Sequence, residues 1–64
     1  MTINMNRANE MVKNSGYKKG FIAESIGMTP NKLVQTLLGN RKFAAEEYVA
    51  FCKFFRIAPQ DLID

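Results

Sequence analysis

A chain of 64 residues, 47% hydrophobic and formally +3, supports one domain spanning 1–64, with a single core near the smallest that folds unaided, and leaves no room for a second, ligand-binding or peptidase domain. No apolar run approaches the roughly 20 residues of a membrane span, and the start, MTINMNRANEM, lacks the basic-then-apolar pattern of a signal peptide, which predicts a cytoplasmic protein without a membrane partner. One cysteine and no histidine exclude an internal disulfide and any plausible zinc set, so no metal, cofactor or small-molecule substrate is predicted.

Taken in order, the apolar periodicity predicts an all-α chain of five helices with no useful strand alternation. The first runs from about Asn4 to Asn14, with Met5, Ala8, Met11 and Val12 at helical spacing, and Gly16 ends it. Tyr17 is predicted to turn inward. The second covers Lys19 to Ile26, with Ile22, Ala23 and Ile26 on one face and Gly27 as its stop. Thr29 followed by Pro30 predicts a third start: a hydroxyl to cap, then a residue whose missing amide hydrogen costs nothing there. That helix carries Leu33 and Leu37 and ends at Gly39; a polar loop, Asn40 to Lys42, follows, with Phe43 as an inward anchor. The fourth, Ala45 to Phe55, has a stripe of Tyr48, Phe51, Cys52 and Phe55, in which Cys52 reads as a small buried hydrophobe. Pro59 opens a last short turn containing Leu62, counted as the fifth helix. Met5, Met11 and Met28 read as core or rim filling.

Charge is unevenly distributed along these elements. Residues 18 to 42 carry Lys18, Lys19, Lys32, Arg41 and Lys42 against Glu24 alone, a balance of +4, whereas residues 43 to 64 carry Lys53 and Arg56 against Glu46, Glu47, Asp61 and Asp64, a balance of −2. A basic centre favours an anionic partner without identifying it. The join between the second and third helices is more specific. Ala23 allows close helix approach, Gly27 permits a left-handed backbone angle in a short turn, and Leu33 points the third helix onto the core so that its other face is exposed. The spacing Ala-x3-Gly-x5-aliphatic therefore predicts a tight bihelical corner presenting one helix outward.

From Tyr17 to Ile63 the chain resembles the helix-turn-helix domain of phage lambda Cro and repressor-like proteins, the Xre family. The resemblance is carried by Ala23, Gly27 and Leu33, by Gly39 with Arg41 and Lys42, by the aromatic stripe, and by Ile57, Pro59 and Leu62 in one register. It implies a compact five-helix bundle of the lambda repressor-like type, a sequence-specific transcription regulator that is not an enzyme, double-stranded DNA as partner, and a homodimer on a two-fold operator. The chain departs from the pattern at Lys18, where Ser or Thr commonly caps, at Lys19, where Gln is common, and at Thr36, which is commonly apolar.

The same resemblance assigns roles. Thr29, Pro30, Asn31, Lys32 and Gln35 match base-reading positions, with Val34 nearby; Asn31 and Gln35 can each bond an adenine edge twice. Lys18, Lys19 and Gly20 at one helix start, and Asn40, Arg41 and Lys42 after the reading helix, are predicted phosphate anchors. Val49, Phe54 and Ile63, off the main stripe, are candidates for a dimer contact. The competing expectation is a protein-interaction module, antitoxin-like or anti-repressor, that keeps the fold without reading DNA.

Overall fold

The computed structural model describes residues 3–63. It contains four α-helices, α1 (Met5–Ser15), α2 (Lys19–Ile26), α3 (Pro30–Leu37) and α4 (Ala45–Phe54), and a terminal 3-10 turn, Pro59–Leu62. The expected five-helix bundle is thus corrected to four helices among the described residues. The terminal segment is too short for an α-helical ladder and begins at a proline; its amides at Asp61 and Ile63 bond three residues back, to Ala58 O at 2.9 Å and Gln60 O at 3.3 Å.

The helix boundaries follow from local chemistry. Asn4 caps α1 by accepting the Arg7 amide at 3.1 Å, and Thr29 Oγ1 caps α3 by accepting the Lys32 amide at 3.2 Å. Lys18 makes no side-chain cap bond at the start of α2, as expected of a residue with no acceptor. The α2–α3 corner turns at Gly27, with φ +80°, where the Met28 amide donates back to Ala23 O at 2.8 Å. Gly39, with φ +85°, closes α3: its amide donates to Thr36 O and that of Asn40 to Gln35 O, the paired bonds of a Schellman motif. α4 ends the same way at Arg56, which holds φ +56° without being glycine.

α2 lies against α3 and α4, α1 against α3 and the terminal turn, and α4 against the same turn. Between them Ile22, Ala23, Leu33, Phe51, Cys52 and Leu62 are almost wholly buried. Met28 is buried and Met5 and Met11 pack on the core's edge, while Phe43 contacts the Tyr48 and Phe51 rings at 5.8 and 5.3 Å. The Tyr48 hydroxyl donates to Pro59 O and ties α4 to the terminal turn; burial pushes its pKa up to about 12. Ile3 and Ile63 form an isolated antiparallel bridge, and the Asn4 amide donates to Leu62 O. Among the described residues no helix is long and apolar enough to cross a membrane.

Tyr17 does not turn inward. It is 54% exposed and stacks on Phe21, itself 52% exposed, at 5.2 Å, with Phe54 edge-on at 5.5 Å. Its neighbour Gly16 already occupies the left-handed position that ends α1, so the chain leaves the core at that point and the ring finds partners on the surface.

Candidate nucleic-acid interface

The corner places two helix starts side by side. A Cβ added at Gly20, in the first turn of α2, would lie 4.0 Å from Pro30 Cγ, in the first turn of α3. Neither first turn holds an acidic residue, so the partial positive charge of both starts is unopposed; α4, by contrast, carries Glu46 and Glu47 there. Lys18 and Lys19 add formal charge at the start of α2 and are exposed. Along α3, Thr29, Pro30, Asn31 and Lys32 are all exposed, while Leu33, Thr36 and Leu37 are buried, so the helix offers its first turn to solvent and its opposite face to the core. Ala23 and Leu33, both fully buried, set this orientation.

Gln35 sits differently from Asn31. It is half-buried, and its Oε1 accepts from Asn40 Nδ2 at 2.9 Å. Asn40 is therefore engaged by α3, whereas Lys42 beside it is exposed.

Arg41 is half-buried and bonded to the protein's own groups. Nη1 donates to Thr36 Oγ1 at 2.8 Å and to Glu47 Oε1 at 3.1 Å, and Nη2 donates to Glu47 Oε2 at 3.3 Å. Thr36, buried at 1% exposure, also donates its hydroxyl to Lys32 O, so the polar residue at a commonly apolar position is satisfied as donor and as acceptor. Glu47 completes the arrangement by accepting the Ala44 amide at 2.9 Å. That bond, and then the Arg41 guanidinium, hold its carboxyl below the ordinary value of 4.5. Arg41 thus clamps the end of α3 to the start of α4, a role that spacing alone did not reveal because the partners meet only when the loop closes.

A group with a lowered folded pKa stabilises above its unfolded pKa, and that contribution is lost as pH falls through the folded value. Thermal melting should therefore show stability declining below pH 4.5, with Glu47→Gln flattening part of that decline. At neutral pH Arg41→Ala should cost about 1 kcal/mol, since the pair is only partly shielded from water. Equal melting temperatures for Arg41→Ala and wild type would remove the clamp.

The three candidate dimer residues differ in their surroundings. Val49 is exposed on α4 beside Ala45, Ala50 and Lys53, Phe54 is half-buried under Tyr17 and Phe21, and Ile63 lies half-buried at the bridge to Ile3. Cys52 is buried, and burial raises its thiol pKa. Among the described residues no group of three or more Cys, Asp or Glu side chains is gathered to hold a metal ion. No family model, curated protein or solved structure matches the chain.

Proposed function

We propose that the chain is a sequence-specific, double-stranded-DNA-binding transcription regulator resembling the Cro and repressor-like members of the Xre family, working in the cytoplasm as a homodimer on a two-fold site. The observation that carries this reading is the pairing of helix starts. The exposed first turn of α3 adjoins the acid-free, doubly basic start of α2, close enough that a Cβ added at Gly20 would touch the Pro30 ring. A duplex that admits α3 to its major groove brings a phosphate strand against Lys18, Lys19 and the amides near Gly20, and Lys42 reaches the backbone beyond the other end of α3. Asn31 and Gln35 then address base edges, and Thr29 and Pro30 shape the entry. Arg41 serves chiefly by fixing the loop that presents Lys42. The side chains favour binding over catalysis, because the acids are scattered and the one thiol is buried.

Gel-shift titration of the chain against duplex DNA at two salt concentrations tests the reading, with sedimentation on a two-fold duplex giving two chains per site. In selection from random duplexes, Asn31→Ala and Gln35→Ala should each relax one or two positions per half-site, at about 1 to 3 kcal/mol on the preferred sequence. Absence of duplex binding at low salt would defeat the proposal. The second reading, a protein-interaction module, is favoured by one observation, the exposed rings of Tyr17 and Phe21 packed on half-buried Phe54; exposed aromatic rings are common at protein interfaces.

A further inference from the structure

Gln35 and Asn40 are joined twice. The Asn40 amide donates to the Gln35 carbonyl at 2.9 Å as part of the turn that closes α3, and the Asn40 side chain donates through Nδ2 to Gln35 Oε1 at the same distance. In a Schellman turn these two positions commonly meet through an apolar contact, and here an amide pair takes its place. The backbone bond fixes where Asn40 stands, so the side-chain bond is made by two residues already adjacent, with little further ordering to oppose it. An Asn amide nitrogen only donates and a Gln amide oxygen only accepts, so the bond also fixes which end of the Gln35 amide is turned toward the loop. Gln35 Nε2 has no protein partner among the described residues.

Resting on the DNA-binding reading above, we infer that Asn40 is a positioning residue that turns the Gln35 amide so that Nε2, a donor, addresses the base. Free glutamine offers a donor and an acceptor together and suits adenine. With Oε1 engaged by Asn40, Gln35 instead favours an edge that presents acceptors, guanine O6 and N7 or thymine O4. The loop after the reading helix thereby sets base preference without touching a base.

Asn40→Asp tests the direction of the amide. Aspartate only accepts, so Gln35 must turn Nε2 toward the loop and present Oε1, a change that exchanges acceptor-bearing for donor-bearing bases, adenine N6 or cytosine N4. Selection from random duplexes with the full chain is read as the ratio of preferred to substituted base at the position that Gln35→Ala relaxes. A uniform loss of phosphate contact cancels in that ratio. Asn40→Ala should lower it roughly tenfold and Asn40→Asp should invert it, with neither variant changing it further in the Gln35→Ala background. Side-chain amide 15N relaxation of the DNA-free chain supplies an independent readout: the Gln35 NH2 should be ordered in wild type and mobile in Asn40→Ala. A wild-type chain that binds no duplex overturns the DNA reading and this inference together. A chain that binds, yet selects the same bases in both Asn40 variants or shows an equally mobile Gln35 amide with and without Asn40, overturns this inference alone.

Discussion

Gly27→Val should melt about 10 °C below wild type or fail to fold, with the loss coming chiefly from the backbone angle. Gly27 holds φ +80°, and a Cβ placed there would meet nothing within 4 Å, so the strain of the angle and not a Cβ contact dominates. A β-branched residue forced into the left-handed region costs on the order of 2 kcal/mol, and in a domain of this size each kcal/mol shifts the melting temperature by about 4 to 8 °C. The control is Gly27→Asn. Asparagine adopts this conformation more readily, so it should retain most of the stability lost to valine. Similar melting temperatures for the two variants would mean that something other than φ sets the effect.

The second large effect concerns charge. Lys18→Ala, Lys19→Ala and Lys42→Ala combined should flatten the salt dependence of duplex binding by about 2.7 logarithmic units, at about 0.9 per phosphate contact. Between about 50 and 200 mM salt the wild-type chain should then lose roughly 40-fold more affinity than the triple variant. The change should be uniform across duplex sequences, unlike the position-specific changes at Asn31 and Gln35. Lys53 and Arg56, on and just after α4, are exposed cations outside the proposed interface, and replacing both with alanine should leave the slope unchanged. A slope equally reduced by either set would point to general charge rather than to this face.

The parts of the fold that could be read from the chain are those whose conformation depends on the residue itself. Thr29 with Pro30 begins α3 and Gly27 turns left-handed because each residue carries its own preference, and the apolar spacing of α4 survives as the burial of Tyr48, Phe51 and Cys52. The fifth element was over-read because an apolar Leu62 after Pro59 signals a packed turn as readily as a helix, and length decides between them. Tyr17 departs from its expected inward position for a different reason: its place depends on Phe21 and Phe54, which come together through the packing of α2 on α4. The same applies to the candidate site. Exposure of the first turn of α3 follows from its apolar face, but the engagement of Arg41 by Glu47 and of Gln35 by Asn40 depends on how one loop closes, which periodicity does not encode.

The bridge between Ile3 and Ile63 bears on how the domain comes apart. α1 is held by α3 and by the terminal turn, and the Asn4 amide and the Arg7 guanidinium both donate to carbonyls of that turn, Leu62 O and Asp61 O. Two segments that fray independently in most small helical domains are here each other's support, so loosening one removes the partner of the other. The α2–α3 corner contains none of these contacts. The Asn4 amide should accordingly exchange with solvent hydrogen far more slowly than a helix-start position usually does, reporting an opening of both chain ends at once.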